Sequence, residues 1–366
     1  MKAVVIRRGD AEPTVMDVPA PTPDDGEVLV RTLRVGIDGT DHEVVEGSHG
    51  GYPPGSAYQI LGHEAVGVVE QANGTALDEG QLVVPTVRRL PPETRTNDYF
   101  ERGEPDMAPD GAYVERGIVG AHGYMSDYFT SPVDHLVPVP DSYAAYGFLV
   151  EPMSNTEKAV EHAFAARSAF DWHPKTAFVL GNGSLGLLTL AMLQQDHGRY
   201  EPFERTYCLG RRDRPDPTVD IIERLGATYV DSRETPVGEM AETHESVDFV
   251  YEATGHAKHP FDLLDALAPN GVGALLGIPD DWTFEVDGGR LHREMVLRNK
   301  ALVGSVNSNR RHFEAAKESL AALPDWFCES LVTGVYPPEA VTDALADDTR
   351  SIKTVVEFGR LDPLVY

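Results

Sequence analysis

A chain of 366 residues, 41% apolar and 25% charged, can bury more than one compact core and has neither a disordered nor a membrane composition. Its 59 acidic against 31 basic residues leave a formal charge of -28, which argues against nucleic-acid binding outside a local basic patch. Two cysteines far apart in sequence, Cys208 and Cys328, exclude a disulfide framework and a cysteine-rich zinc ribbon; each is expected to be a small core residue.

From Met1 to about Val139 the text is strand-like: KAVVIR, EVLVRTLRVGI, AVGVV, QLVVPTV and HLVPVP, broken by Pro and Gly clusters, predict a mostly β domain. Near Ala144 the period changes, and SNTEKAVEHAFAARSAF reads as a helix stopped near Trp172-His173-Pro174. Beyond it, the apolar runs TAFVL, TYCLGRRD, ATYVD, DFVYEATG and VGALLGI alternate with helical segments such as PTVDIIERLG. That alternation predicts an α/β domain with a doubly wound parallel sheet. KALVGSVNSN and KTVVEFGRL look more like the first domain, so the expected division is 1–157, 158–297 and a return over 298–366.

Chemistry concentrates first at Gln59 to Glu70, where His63 and Glu64 stand side by side among apolar residues and glycines. Alone the pair is weak evidence, since an isolated His-Glu is more often a surface pair or a hydrogen-bonded core histidine than a metal site. Gly181-Asn182-Gly183-Ser184-Leu185-Gly186 fits G-x-G-x-x-G, follows an apolar strand and opens a helix, the context in which the pattern binds a dinucleotide. At the end of the next strand, where an NAD-preferring site offers an acid, the chain reads Leu209-Gly210-Arg211-Arg212-Asp213-Arg214. Arginines there suit the 2′-phosphate of NADP(H), with NAD(H) tolerated as a secondary cofactor. The competing reading pairs them with Asp213 and Asp216.

Gly36-Ile37-Asp38-Gly39-Thr40-Asp41, Gly62-His63-Glu64 and Glu151-Pro152, with the glycine loop behind them, resemble the signatures of the zinc-dependent medium-chain dehydrogenase family. Glu115 to Met125 and Arg293 to Lys300 look like its archaeal glucose dehydrogenase branch, the haloarchaeal members above all. The resemblance spans the chain. It implies a Rossmann domain plus a GroES-like catalytic domain, and one catalytic zinc held by Asp38, His63 and Glu151. Glu64 would alternate with Glu151 or act through water, and Thr40 would be the hydroxyl relay. It also implies sugar contacts at Thr40, Glu115, Glu151 and Asn155, Asn307 near the nicotinamide, and a homodimer or homotetramer. The family's cysteine ligand is Asp38 here, which makes the site oxygen-rich. The stretch from Arg88 to Glu115 lacks the four cysteines that hold a structural zinc in many relatives, so none is expected.

Glu115 has a competing reading of equal weight, a salt bridge with Arg116 or another arginine. His42, His49 and His122 read as surface residues. The implied reaction is oxidation of glucose at C1 to the lactone. Other sugar, polyol or alcohol dehydrogenases are the rivals within the family, and a non-catalytic NADP(H)-binding sensor is the rival outside it. Only seven of the 31 basic residues are lysines, and an acidic, lysine-poor surface suits a high-salt cytosol. The strand-like N-terminus and the absence of any apolar run of roughly 18 residues lead us to expect a cytoplasmic protein without membrane contact.

Overall fold

A computed structural model describes residues 1–196, 200–346 and 350–360. Its contacts divide the chain into two units: Met1–Ser154 with Asn307–Lys317 and the chain from Leu331 onward, and Asn155–Val306 with Glu318–Ser330.

The first unit is built around a mostly antiparallel sheet of seven strands, in which Val332–Tyr336 and Lys353–Glu357 pair in parallel. Its centre is Glu27–Ile37, whose alternating EVLVRTLRVGI buries Val28, Val30 and Val35 completely. Glu64–Gln71 pairs with one edge of this strand and Lys353–Glu357 with the other. The register sets Gly36 opposite both Glu64 and Val355. A side chain on Gly36 would not fit, because its Cβ would lie 2.2 Å from Glu64 Oε2 and 3.0 Å from Lys353 Cε. Glycine at this position therefore makes room for a buried acid and a buried lysine carried by neighbouring strands.

In the second unit six parallel strands run in the order Thr228–Asp231, Arg205–Gly210, Thr176–Leu180, Val247–Glu252, Leu267–Leu275, Ala301–Gly304. In chain order this is 3-2-1-4-5-6, with the reversal beside Thr176–Leu180, where open α/β sheets bind their ligands. The short apolar runs are central strands, and Thr176–Leu180 is buried at every position.

The division departs from the sequence expectation. The boundary near 157/158 falls after Ser154, and the return expected at 298 begins at Asn307. Its reason is Ala301–Gly304, which pairs in parallel with Leu267–Leu275 and so closes the second sheet instead of completing the first. Residues 318–330 also belong to the second unit. The helix after the junction is Val150–Ala165, starting earlier and ending sooner than its apolar pattern predicts. Cys208 and Cys328 are free and buried, and among the described residues no helix is long and apolar enough to cross a membrane.

Candidate active site

Strand Glu27–Ile37 ends one residue before Asp38, and Asp38 caps helix Gly39–Glu46. The cap is reciprocal: Asp38 Oδ1 accepts from the Asp41 N–H at 3.2 Å, and Asp41 Oδ2 accepts from the Asp38 N–H at 3.1 Å. Each acid thus uses one oxygen for the helix and keeps the other. Those remaining oxygens face His63, with Asp38 Oδ2 3.5 Å from Nε2 and Asp41 Oδ1 3.9 Å from Nδ1.

His63 lies in the turn before strand Glu64–Gln71 and is 4% exposed. It belongs to two groups whose ligand atoms lie within 4.8 Å of one another, Asp38–Asp41–His63 and His63–Glu64–Glu151. Glu151 is buried in the first turn of helix Val150–Ala165. Glu64 is 1% exposed, and Lys353 Nζ lies 2.5 Å from its Oε2.

This concentration of charge shifts the ionisations of Asp38, Asp41, His63 and Glu64. Burial opposes protonation of His63, but Asp38, Asp41 and Glu151 outweigh it and hold the imidazole well above its ordinary pKa. Burial, reinforced by Asp38 and Glu64 against the pull of His63, pushes the Asp41 carboxyl up to about 7. Burial also raises Glu64, only partly offset by Lys353. Asp38 moves the other way: desolvation is overcome by the His63 charge and contact, with help from Lys353, and its carboxyl stays far below the usual range.

The donor set fits a divalent metal. Buried Asp41 Oδ1 and His63 Nδ1 lack a hydrogen-bond partner, and Glu64 Oε2 faces the Lys353 ammonium, a costly arrangement that a cation among one nitrogen and several carboxylate donors relieves. Thr40 is half-buried in the first turn of the helix that Asp38 caps, and its hydroxyl has no hydrogen-bond partner among the described residues.

Glu115 is joined to an arginine, as one of its two readings expects, although the partner is Arg88 and not Arg116. Arg88 Nε donates to Glu115 Oε1 at 2.9 Å, and Asn307 Nδ2 donates to the same oxygen at 3.0 Å. Asn307 therefore joins Glu115 in the first unit. Asn155 sits one helical turn after Glu151 and is counted with the second unit. His122 is not a surface residue: it is half-buried, its Nδ1 accepts from the Ile60 N–H at 3.2 Å, and its ring stacks on Tyr58.

In the second unit, the glycine loop has the tight form a dinucleotide site needs. Gly181 adopts φ 114°, and a Cβ on Gly186 would lie 1.9 Å from the Gly181 carbonyl oxygen, so both positions require glycine. Gly183 opens helix Ser184–Leu193 without a side-chain cap, leaving the first-turn N–H groups of Ser184, Leu185 and Gly186 without helical acceptors. Asn182 has a structural duty, donating to Thr218 Oγ1 at 2.6 Å in space that the bare Gly210 leaves open.

The acids expected to neutralise the arginines are engaged elsewhere: Asp213 pairs with Arg233, Asp216 caps helix Pro217–Arg224, and Arg214 pairs with Glu223. Among the described residues no carboxylate lies within 4.0 Å of the Arg211 or Arg212 side chains. Replacing both with Ala should raise the KM for NADP+ by about tenfold or more, and that for NAD+ much less, because charge-assisted bonds to a phosphate are lost. Equal effects on the two cofactors would contradict this reading.

Sequence reasoning missed two members of the site. Asp41 closes the Gly36-to-Asp41 motif with no role evident from its residue type, and its signal is the acid three residues after another acid at a helix start. Lys353 carried no local signal, being the first residue of the short strand Lys353–Glu357, KTVVE.

Two family profiles match the chain: an alcohol dehydrogenase GroES-like domain over residues 24–141 and a glucose dehydrogenase C-terminus over residues 144–358. A glucose 1-dehydrogenase of Haloterrigena turkmenica is 63% identical over 369 residues, covering 99% of this chain and 100% of the relative. One from Methanocella arvoryzae is 37% identical, covering 98% of this chain and 100% of the relative. The solved structure of Haloferax mediterranei glucose dehydrogenase in complex with NADP, Zn and gluconolactone superposes with a TM-score of 0.95 at 64% identity, covering 98% of this chain and 99% of that one.

Proposed function

The chain belongs to the zinc-dependent medium-chain dehydrogenase family, in its glucose dehydrogenase branch, and we propose that it oxidises D-glucose at C1 to D-glucono-1,5-lactone, passing the hydride to NADP+. The observation that carries the reading is His63, common to two groups of carboxylates, with Asp41 Oδ1 and its own Nδ1 buried and without hydrogen-bond partners. Supporting it is the 64% identity to an enzyme solved with NADP, Zn and gluconolactone.

When bound, zinc supplies Lewis acidity toward the sugar's C1 hydroxyl, and NADP+ supplies the hydride acceptor. Asp38, His63 and Glu151 are the residues assigned to hold the ion, with Glu64 alternating with Glu151 or acting through water. Asp41 faces His63 Nδ1, so it favours the tautomer protonated there and leaves Nε2 as the donor nitrogen. Thr40, with an uncommitted hydroxyl beside Asp38, relays the proton leaving the C1 hydroxyl. Glu115, Glu151 and Asn155 take sugar hydroxyls, and Asn307 borders the nicotinamide. The glycine loop with Gly210 seats the pyrophosphate and ribose, Arg211 and Arg212 hold the 2′-phosphate, and NAD+ is the weaker cofactor.

The enzyme is assigned to a high-salt cytoplasm, away from membranes and nucleic acid. Homo-oligomerisation is also proposed: Ala301–Gly304 is an open edge strand, and Val296 and Leu297 just before it are 61% and 71% exposed. A monomer in sedimentation at working salt would contradict it.

A panel of glucose, galactose, xylose, sorbitol and ethanol, followed by NADPH absorbance, tests the substrate. We expect kcat/KM for glucose to exceed that for sorbitol and ethanol by about a hundredfold, the selectivity available to a site that hydrogen-bonds its substrate. Preference for sorbitol or ethanol would place the chain among the polyol or alcohol enzymes.

A further inference from the structure

We propose that Arg88 is a positioning residue for sugar recognition: it aims the Glu115 carboxylate by fixing one of its oxygens and leaving the other for a ring hydroxyl. The inference rests on the reading of the substrate as a sugar.

Arg88 and Glu115 stand directly opposite each other, where the short strand Arg88–Arg89 pairs with Val114–Arg116. At 4% and 8% exposure they form a buried cross-strand ion pair. Glu115 Oε1 is saturated by two donors, Arg88 Nε and Asn307 Nδ2. Oε2 accepts nothing among the described residues, so it is the oxygen left to a ligand.

The guanidinium is itself held from three sides. Its Nη1 donates to the carbonyls of Asp106 at 2.9 Å and Pro105 at 3.3 Å, and its plane covers the Tyr113 ring with 3.6 Å to the centroid. Asp106 Oδ1 in turn accepts from Asn309 Nδ2 at 3.0 Å. Two acids, Glu115 and Asp106, are thus tied both to Arg88 and to the segment 307–309 that re-enters the first unit.

This node borders the metal site. A Cβ on Gly117, two residues after Glu115, would lie 2.4 Å from the carbonyl oxygen of Gly62, the residue before His63. The turn that follows the strand of Glu115 is therefore pressed against the turn bearing His63. A carboxylate fixed in such a place discriminates sugars by which hydroxyl it meets. An arginine is required because one planar fork bonds a carboxylate and two carbonyls at once.

The test compares wild type, Arg88→Met, Arg88→Lys and Glu115→Gln on glucose and its 2-deoxy and 3-deoxy analogues, with zinc content and the KM for NADP+ measured alongside. In Arg88→Met the KM for glucose should rise about 10–100-fold. Discrimination against the deoxy sugar lacking the Glu115 partner should collapse, while kcat, zinc content and the NADP+ constant change by less than about threefold. Arg88→Lys, which restores charge without the fork, should fall between the two. Adding Glu115→Gln to Arg88→Met should cost little more, because the two residues act as one.

Wild-type discrimination in either Arg88 variant, or a parallel fall in kcat, zinc content and both Michaelis constants, would overturn the proposal. If Arg88→Met does not fold, the lysine variant alone decides. Failure of the wild type to oxidise any sugar would instead refute the proposed function, an outcome separable from any effect of Arg88.

Discussion

Replacing His63 with Ala is expected to abolish zinc binding and glucose oxidation together. His63 is common to both groups of metal-competent side chains, and it is the nitrogen donor in each. Its loss leaves Asp38, Asp41, Glu64 and Glu151, carboxylates whose mutual repulsion is then relieved by taking up protons, a change that lowers affinity for a cation. Losing the ion removes several kcal/mol of transition-state stabilisation, so kcat/KM should fall by about a thousandfold or more. Zinc content by mass spectrometry and turnover should fall in the same preparation. A variant that keeps both would show that His63 is not the anchor.

Lys353 has the second large effect, on stability. Its ammonium and the Glu64 carboxylate are both 1% exposed and 2.5 Å apart. Removing one member of such a pair leaves the other buried and uncompensated. Metal-free Lys353→Met should therefore lose about 3–5 kcal/mol in a denaturant melt. The loss should shrink when zinc is added, since a cation can compensate the freed Glu64, and it should also shrink in the double variant with Glu64→Gln. A loss under about 1 kcal/mol in the metal-free single variant would mean that the pair is solvated.

These two residues differ in how legible they are. His63 is visible because a His-Glu pair between glycines, preceded by an Asp-x-Thr-Asp helix start, forms a recognisable set. Lys353 is distant in sequence from Glu64 and meets it only because the last strand pairs beside Gly36. Arg88 is hidden for the same reason: its role follows from standing opposite Glu115, and register is a property of the folded sheet.

The fold was readable where burial leaves a simple pattern. Thr176–Leu180 is wholly buried and apolar after its first residue, as a central parallel strand must be, and the glycine loop follows it directly. Ala301–Gly304 was assigned to the wrong sheet because an edge strand is only partly buried and its composition does not name its neighbour. The domain boundary moved with it. Glu115 could be read equally as sugar ligand or salt bridge, and the structure shows why: one oxygen serves the arginine and the other is left over.

The central claim is a metal-dependent oxidation of glucose by NADP+. Its most direct test follows NADPH absorbance with D-glucose in high salt, before chelation, after it, and after zinc is restored. We expect steady turnover that disappears with the chelator and returns with zinc. NADP(H) binding without glucose turnover would support a non-catalytic sensor, and turnover indifferent to the chelator would contradict the metal site at His63.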